Sequence, residues 1–438
     1  MNHNSSIKPL NLPETVVWYY LIGTYVIYLI GGQYIFTAFM GTFLLCYLAR
    51  QWWRQTPATP MSERIVIAPL AWAWFGAMLM VELALIVGHL NFNLGMGTII
   101  KSSSHWYRTW AIFGIFPLVG HLNIRPQIIY RGICILCLQS IIVVVAGTIL
   151  GSIVGPELNY VSPLIASGGD EVHYTIQLVQ TLIDNRLELF SPWSTTLGMA
   201  GNTYLLMVTQ ESDRKWRTIG IVGSVMMIIF SWSRLAIVSL FFVPLFIWML
   251  SNLIRPWMQF ASSIACFLSG IFFAQIVDFI YFFQEQVNSL REDTQSSSNT
   301  RKAIYKMTLY LWRNDAPIWG HGITPEKGPG ATDYYPVASH QAWYYLLYAH
   351  GLVGFIPSFL VAVWTLISLI VKAQSSKVAR VCLGMFLVIV FNSFTDNTQS
   401  FAYMCWPSLL MMGIFYRQEM SDIKSNKGIY RRTKMVLN

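Results

Sequence analysis

The sequence predicts an all-α polytopic membrane protein with about twelve transmembrane helices. Its 438 residues are 55% hydrophobic and only 11% charged, whereas charged residues make up about a quarter of a typical water-soluble protein. The apolar residues fall in blocks of about 15 to 25 residues without charge at their centres, the length that crosses a hydrocarbon layer of about 30 Å. Lipid must therefore cover much of the surface, and we expect a single integral membrane domain over residues 1–438.

Twelve apolar blocks are long enough to form membrane helices. They cover residues 16–30, 34–49, 65–88, 109–122, 132–153, 194–208, 218–232, 235–250, 258–282, 345–371, 381–394 and 401–416. A signal peptide does not explain the first block, because other apolar blocks follow it without a small-residue cleavage site. Twelve spans place both chain ends on the same side of the membrane.

The basic residues are concentrated on one predicted face. The chain ends and short loops on that face contain 19 of the 29 Lys and Arg residues. Because short loops rich in Lys and Arg stay in the cytoplasm, we expect this face, including a basic tail at 417–438, to be cytoplasmic. The formal charge of +9 is then a consequence of topology and does not predict nucleic-acid binding.

The opposite face has two long segments, at about 155–193 and 283–344. They are richer in Gly, Pro, Ser, Asp and aromatic residues than the spans, and the second connects the ninth and tenth predicted helices. We find no internal repeat and no separate soluble domain. Only these two segments contain enough chain to build a site outside the membrane, and we expect the loop at 283–344 to carry part of it.

The cysteines predict neither a disulfide framework nor a metal site. All six lie inside or at the edges of apolar blocks, where a cysteine behaves as a small buried hydrophobic residue. Cys134 and Cys137 form a C-x-x-C, but no second Cys or His pair accompanies them, so neither metal binding nor redox chemistry is predicted.

Charged residues within or beside the spans cluster toward the outer face. Burying charge in a membrane is costly, so each such residue is a candidate functional residue. Glu82, Arg234 and Asp278 all lie near the outer ends of predicted helices. A transporter more often places charge at the bilayer midplane, in broken helices related by a repeat. The outward clustering favours a site that opens to the outside.

Arg234 lies in the stretch SWSRLAIVSL, at the tight outer turn between the seventh and eighth predicted helices. Positive charge is otherwise scarce on this face, so Arg234 is expected to have an anionic partner. A bound anion, lipid headgroups and Asp278 are all possible partners, because a long arginine side chain can reach the interface.

Arg301 begins the amphipathic segment RKAIYKMTLYLW, and positions 298–300 offer N-cap residues. An apolar stripe with helical spacing follows, formed by Ile304, Met307, Leu311 and Trp312. We therefore expect Arg301 at a helix N-terminus, where its cation opposes the helix dipole unless an anion is bound there. The planar guanidinium suits a phosphate or diphosphate. The alternative is an exposed interfacial arginine.

His340 lies just before the tenth predicted helix, in ASHQAWYYLLYAHGLVGF. A neutral imidazole at the boundary between water and lipid can accept a proton from a sugar hydroxyl near neutral pH. By itself a histidine there is more often structural. His350 lies about 15 Å deeper along the same helix, and we expect it to be a hydrogen-bonded core residue.

Several motifs are absent from the sequence. It contains no D-x-D pair of the kind that holds a metal–nucleotide complex, no Walker loop, no G-x-S-x-G and no set of ligands with metal spacing. Chemistry driven by a nucleotide or a metal is therefore not expected.

Three stretches of the sequence resemble the O-antigen ligase and Wzy-type polymerase superfamily of bacterial envelope polysaccharide enzymes. That family has an S-R at a helix start, then R-x-x-x-(Y/W) leading to a proline and a G-x-G, then H-(N/Q) before G-x-x-G. Here the same order is SWSRLAIVSL, the run from Arg301 through NDAPIWGHGITPEK, and SHQAWYYLLYAHGLVGF. The resemblance covers about 231–355 by motif and the whole chain by topology.

The resemblance implies a GT-C-like membrane glycosyltransferase that works at the periplasmic face of the inner membrane, without a metal or other cofactor. The donor is a glycan on undecaprenyl diphosphate, and the acceptor is another glycan or a lipid A core sugar. By position, Arg234 and Arg301 resemble the two arginines that hold the diphosphate, and His340 resembles the residue that activates the acceptor. The diphosphate is the leaving group, and the enzyme mainly needs to stabilise the negative charge that grows on it. A general base then accepts the proton of the acceptor hydroxyl.

The sequence also departs from the family pattern. Many relatives have an acidic residue just before the glycine that follows the histidine motif, whereas this chain has Ala349 and His350, so an acidic helper must come from elsewhere. The motifs do not distinguish a ligase, a polymerase and a protein O-oligosaccharyltransferase. A flippase or other transporter, and a purely structural membrane component, are the alternatives from other classes.

Overall fold

The computed structural model describes residues 7–60, 64–154, 158–180, 186–275, 277–278, 281–282, 292–323 and 337–436. Its α-helices are α1 (Leu12–Ile22), α2 (Thr24–Leu29), α3 (Gln33–Trp53), α4 (Pro69–Asn91), α5 (Met96–Arg108), α6 (Trp110–Val119), α7 (Pro126–Val154), α8 (Ser194–Val208), α9 (Arg214–Phe230), α10 (Arg234–Leu250), α11 (Pro256–Ile271), α12 (Glu292–Asp315), α13 (Ala342–Ala373), α14 (Lys377–Ser393) and α15 (Ala402–Val436). Strands β1 (Asn159–Val161) and β2 (Thr175–Gln177) form a short antiparallel hairpin in which Tyr160 is opposite Ile176.

Three of the described helices are long and apolar enough to cross a membrane, at Pro69–Asn91, Pro126–Gly151 and Ala342–Ala373. Two shorter helices, α6 and α10, are also apolar. Large apolar side chains stay exposed on several helices, for example Phe241 and Trp364, as expected where lipid replaces water. The chain is therefore an all-α, membrane-embedded protein. The number of twelve spans and the position of the loop at 283–344 stay predictions.

The centre of the bundle is built around α4, which packs against α6 and α13, while α6 also packs against α3 and α15. Small residues allow the closest helix contacts, as is common in membranes. A Cβ atom on Gly120 of α6 would lie 2.5 Å from the Cα of Gly413 in α15. Cys134 and Cys137 are buried in α7 and fit against two glycines of α9. They pack as small hydrophobic residues.

Ion pairs stabilise the end of the bundle that the sequence assigns to the cytoplasm. Arg125, just before α7, bonds Glu14 of α1 at 2.7 Å, and Arg131 bonds Glu211, after α8, at 3.0 Å. Lys372 of α13 pairs with Glu419 of α15. These contacts fix helix ends far from the outer segments discussed below.

The helix boundaries in the structure differ from the predicted ones in several places. The block at 16–30 is two helices that meet at Gly23, and α5 was not predicted because it is amphipathic and too polar for a membrane span. The helix that contains Arg301 begins at Glu292, so its start does not coincide with Arg301. The block at 258–282 contains α11, which ends at Ile271, and part of its remainder lies outside the described residues.

Candidate active site

The start of α8 contacts the turn before α10, which precedes Arg234, and the turn after α14, which carries Asp396. Gly198 faces the turn between α9 and α10, where an added Cβ would lie 2.7 Å from Ser231 Oγ. On the other side, the Thr195 hydroxyl donates a hydrogen bond to the carboxyl group of Asp396, which follows α14. Because helices 8, 10 and 14 meet here, Arg234 and Asp396 both lie beside the same end of α8.

Arg234 is the first residue of α10. Ser233 caps this helix, because its side chain accepts a hydrogen bond from the Ala236 N–H at 3.3 Å. Trp232 has a φ of 51°, a conformation that costs energy for a bulky residue. The Arg234 side chain is exposed. It therefore combines a guanidinium with the N-terminus of a helix, an arrangement that binds anions.

Arg301 lies in the interior of α12, nine residues after its start at Glu292. The expectation that Arg301 stands at a helix N-terminus was therefore wrong, and α12 contributes no free N–H groups at that position. The predicted stripe is present, since Ile304 is fully buried while Arg301 is exposed. Among the side chains that the structure describes, which do not include those at 292–300, no carboxylate oxygen lies within 4 Å of its guanidinium. The Arg301 cation nevertheless acts electrostatically on both Asp396 and His340.

His340 is held against α12 by two contacts that flank it. The Ala338 N–H donates to Thr308 Oγ1 at 3.0 Å, and the Tyr305 hydroxyl donates to the His340 carbonyl at 3.4 Å. Ala338 and His340 have φ values of 63° and 65°. Non-glycine residues adopt this region at a cost, and such residues are concentrated at functional sites. Tyr305 is one helical turn after Arg301, so these contacts bring His340 to the arginine.

The environment keeps the His340 imidazole neutral. Burial and the Arg301 cation both lower the pKa of His340 below its ordinary value, because each disfavours the imidazolium. A neutral imidazole has one nitrogen that carries no proton and can accept one. Both effects therefore favour the unprotonated ring, which is the form that a general base needs.

The segment at 316–322 inserts into a break in α13 at Gly351, which has a φ of 56° and a ψ of −162°. The N–H groups of His321 and Gly322 donate to the carbonyls of Tyr348 and Ala349, each at 2.9 Å. In return, the N–H groups after the break donate to carbonyls of this segment, Leu352 to Pro317 at 3.0 Å and Val353 to Ile318 at 3.1 Å. The G-x-G and G-x-x-G motifs are thus two halves of one interlock.

Glycine is required at the closest points of this interlock. A Cβ atom on Gly320 would lie 2.5 Å from backbone atoms of α13, and one on Gly351 would lie 2.3 Å from the Ile318 carbonyl oxygen. The interlock joins α12, which carries Arg301, to α13, which follows His340. His350, just before the break, is 1% exposed and packs against Trp110 and Tyr345, in agreement with the predicted core position. The predicted hydrogen bonding is not found, because neither ring nitrogen has a partner within 3.5 Å in the described part of the chain.

Two carboxyl groups near α8 were not identified from the sequence. Burial raises the pKa of Asp396 to about 6, against the opposing effect of the Arg301 cation. Burial likewise raises the pKa of Glu188 to about 7, although it accepts hydrogen bonds from the Ser194 N–H and from Gln177 Nε2. Asp396 is a buried carboxyl group on which the Arg301 cation acts. Its only signal in the sequence is the polar run DNTQS between two apolar blocks.

An inner cluster lies at the base of the other outer segment, at 158–180. Arg108, at the end of α5, is 7% exposed. Its guanidinium donates to the carbonyls of Ser167 and Gly168 at 3.2 and 2.6 Å and lies 5.0 Å from the centre of the Tyr34 ring. His173 stacks on the opposite side of the cluster, 4.4 Å from Tyr34. These contacts attach the segment to the bundle.

Residues 219–359, about a third of the chain, match the family model described as O-antigen ligase. The match contains Arg234, Arg301, His340 and both halves of the interlock. The predicted resemblance to the O-antigen ligase and Wzy superfamily is thereby confirmed over this region, and it implies a membrane enzyme of the glycosyl-transferring type. No curated protein matches the chain.

Proposed function

We propose, from the O-antigen ligase match at 219–359 and the site around α8, that this protein transfers a glycan from undecaprenyl diphosphate to an acceptor hydroxyl. The reaction takes place at the periplasmic face of the inner membrane and uses no metal ion. The observation that carries the proposal is the contact set that brings His340, in a strained backbone conformation, beside the Arg301 cation. A base next to a cation is what this transfer requires.

Arg234 and Arg301 bind the diphosphate in this proposal. Arg234 adds the N–H groups at the start of α10, and Arg301 has an exposed guanidinium that no described carboxylate occupies. Both groups stabilise the negative charge that builds up on the diphosphate as its bond to the sugar breaks. An arginine fork can make two parallel hydrogen bonds to phosphate oxygens, which a lysine cannot.

His340 removes the proton of the acceptor hydroxyl. As the hydroxyl oxygen bonds to the anomeric carbon of the donor sugar, the bond from that carbon to the diphosphate breaks and its electron pair leaves with the diphosphate. The hydroxyl proton moves to the imidazole. Asp396 helps by opposing the Arg301 charge from the other side, which limits the loss of basicity that Arg301 imposes on His340.

The proposal is tested with the full chain reconstituted in lipid nanodiscs. The assay follows transfer of a carrier-linked glycan to two acceptors, a lipid A core and a second carrier-linked repeat, with and without a chelator. Transfer that persists in the chelator supports the proposal, and the preferred acceptor distinguishes a ligase from a polymerase. Transfer that the chelator abolishes, and that added divalent metal restores, would overturn the metal-free mechanism.

A topology assay tests the proposal that the active site faces the periplasm. A reporter inserted near Ser297 should be on the periplasmic side, and reporters after Val371 or at the C-terminus should be cytoplasmic, because the basic loops remain inside. Accessibility of single cysteines to an impermeant thiol reagent would check the same positions. A cytoplasmic signal at Ser297 would contradict a periplasmic active site.

A further inference from the structure

A chain of amide hydrogen bonds in the outer part of the protein ends at the carboxyl group of Glu188. The Leu189 N–H donates to Gln180 Oε1 at 3.1 Å. Gln180 Nε2 donates to Gln177 Oε1 at 3.2 Å, and Gln177 Nε2 donates to Glu188 Oε2 at 2.8 Å. Gln177 is the last residue of β2, and Glu188 lies in the stretch that leads into α8. These hydrogen bonds therefore join the outer hairpin to the start of α8.

The backbone fixes the direction of these hydrogen bonds. Because the Leu189 N–H can only donate, the Gln180 amide must turn its oxygen toward it and its nitrogen toward Gln177. Gln177 must then turn its own nitrogen toward Glu188. The Ser194 N–H, the first of α8, donates to the same carboxyl group. Two donors thus approach Glu188, and an ionised carboxylate can accept from both, whereas an amide there would have one acceptor oxygen and would add donors of its own.

Glu188 caps α8 in place of the usual N-cap side chain. The N-cap position of α8 is Trp193, whose side chain makes no capping hydrogen bond, and the helix dipole favours a carboxylate at this end. The residue before Glu188, Leu187, donates its N–H to the carbonyl of Phe230, the last residue of α9, at 2.9 Å. A short turn then leads to Arg234. The same stretch therefore contacts both the start of α8 and the turn before Arg234.

Two features of this stretch cost free energy. Burial raises the pKa of Glu188 to about 7, so the stability that the protonated group contributes is lost as the pH rises through that value. Among the described side chains, no Lys or Arg nitrogen lies within 4 Å of this carboxylate. Leu189 has a φ of 51°, which is costly for a non-glycine residue. Charges and backbone strain that are retained at such a cost are concentrated at functional sites.

The start of α8 is also where parts of the candidate site meet. The hydroxyl of Thr195, the second residue of α8, donates to Asp396, and Gly198 packs against the turn before Arg234. A shift of this helix start would therefore move its contacts with both segments. A misplacement of about 1 Å, even far from the reacting atoms, can lower a rate by roughly 100-fold.

We infer that Glu188 is a positioning residue for the transfer reaction. By accepting hydrogen bonds from Gln177 Nε2 and from the Ser194 N–H, it holds the start of α8 in the place where Asp396 and the turn before Arg234 contact it. The inference rests on the proposed function and adds to it that the outer hairpin helps to set the geometry of the site. Glu188 acts through α8 and does not itself contact the reacting groups.

The first test variant is Glu188→Gln, measured as the full chain in lipid nanodiscs. Its amide turns an NH2 group toward one of the two donors, Gln177 Nε2 or the Ser194 N–H, so one hydrogen bond is lost. Transfer of a carrier-linked glycan by the folded protein should fall about tenfold, the usual effect of one unmet hydrogen bond in a partly buried place. Binding of undecaprenyl diphosphate should weaken by about threefold, because Arg234 follows the turn that α8 supports.

The second variant exchanges the two side chains, Glu188→Gln together with Gln177→Glu. The oxygen of the new amide accepts the Ser194 N–H, and its nitrogen donates to the new carboxylate at position 177. That carboxylate also accepts from Gln180 Nε2, so every donor of the chain again has an acceptor. Transfer and binding should return to within about threefold of the parent, since the negative charge has moved by one side chain while the hydrogen bonds are complete.

Gln139→Leu in α7 is the matched control. It removes one amide hydrogen bond, from Gln139 Nε2 to the Ile22 carbonyl at 2.9 Å, in a part of the bundle away from the start of α8. The control should melt at a lower temperature than the parent and should keep the parent rates of transfer and affinity for undecaprenyl diphosphate in the folded fraction.

Three results would overturn the inference while leaving the proposed function intact. Glu188→Gln could transfer glycan at the parent rate with an unchanged melting temperature. It could instead melt lower and still transfer normally, which would make Glu188 a helix cap alone. The exchanged variant could regain the parent melting temperature but not its transfer, which would give the charge at position 188 a part in the chemistry itself.

Failure of the proposed function gives a different pattern. A parent that binds undecaprenyl diphosphate but transfers no glycan would overturn the proposed function alone. Binding should then still weaken in Glu188→Gln and recover in the exchanged variant if Glu188 positions the turn before Arg234. A parent that neither binds nor transfers would overturn both.

Discussion

Arg108, which contacts the outer segment at 158–180, and Arg301, within the outer segment at 283–344, have surroundings that differ in kind. Arg108 is buried, bonded to backbone carbonyls and stacked on Tyr34, so its hydrogen-bonding capacity is used within the protein. Arg301 is exposed, and no described carboxylate lies within 4 Å of it. The first arrangement stabilises a fold, whereas the second is what the proposed diphosphate site requires. Residue type alone does not separate the two roles.

Replacing a histidine should distinguish the site around Arg301 from the Arg108 cluster more strongly than any other change. His340→Ala should lower transfer by about 10² to 10⁴, the usual contribution of a general base, and should leave binding of the undecaprenyl-diphosphate donor intact. His173→Ala in the Arg108 cluster is the matched control. It removes a ring stacked on Tyr34 and should lower the melting temperature far more than the transfer rate.

These histidine variants are measured by single-turnover transfer, donor binding and thermal melting in the same nanodiscs. Transfer at the parent rate in His340→Ala would refute its role as the base. His350→Ala adds a second control, because a buried core residue should affect stability much more than transfer.

The second prediction compares lysine substitutions of the arginines in the two regions. Arg301→Lys and Arg234→Lys keep the charge but lose the second parallel hydrogen bond to a phosphate, so transfer should fall by about 10- to 100-fold at normal abundance in the membrane. Arg108→Lys leaves buried carbonyls without donors and should cost about 1–3 kcal/mol in the free energy of unfolding.

Transfer assays and quantitative immunoblots of membranes check the arginine variants. Full activity in both Arg301→Lys and Arg234→Lys would reduce these residues to headgroup anchors. A melting temperature of Arg108→Lys equal to that of the parent would remove the distinction between a structural and a ligand-binding arginine.

The smallest predicted change in the transfer rate is that of Asp396→Asn, which should also change the stability of the protein. Its raised pKa, about 6, means that the folded protein holds this proton more tightly than the unfolded chain does. This contribution to stability is fully present below the unfolded pKa near 4 and is lost as the pH rises through about 6. Asp396→Asn should therefore be more stable than the parent at pH 7 to 8, and its melting temperature should change less between pH 4 and 7.

In the same variant, transfer should fall by roughly tenfold, because His340 loses the carboxylate that offsets Arg301 and becomes a weaker base. The acidic limb of the pH–rate profile should then lie at lower pH than in the parent, since the pKa of His340 falls further. Melting curves and rates across pH 4 to 8 test both expectations. A profile and a stability curve identical to those of the parent would exclude Asp396 from the site.

The features that were predicted correctly from the sequence are those set by a local pattern of residues. Apolar blocks predicted an all-α membrane protein, and the helix after the outer turn at Ser233 was predicted from its apolar block to begin at 235, one residue after its observed start at Arg234. Possible caps at 298–300 were misleading, since α12 continues through them. Asp396 could not be assigned, because its surroundings depend on burial and on neighbours such as Thr195 and Arg301 from distant helices. The roles of Arg234, Arg301 and His340 stay predictions.

The break at Gly351 also constrains the order in which the chain assembles. A helix interrupted within lipid exposes backbone groups that no water can satisfy, each at a cost of several kcal/mol. Here the groups at Tyr348, Ala349, Leu352 and Val353 find their partners only in the segment at 316–322. The outer part of α13 can therefore reach its native shape only after that preceding segment has folded back onto it. During biosynthesis, we therefore expect the two segments that carry Arg301 and His340 to fold as one unit.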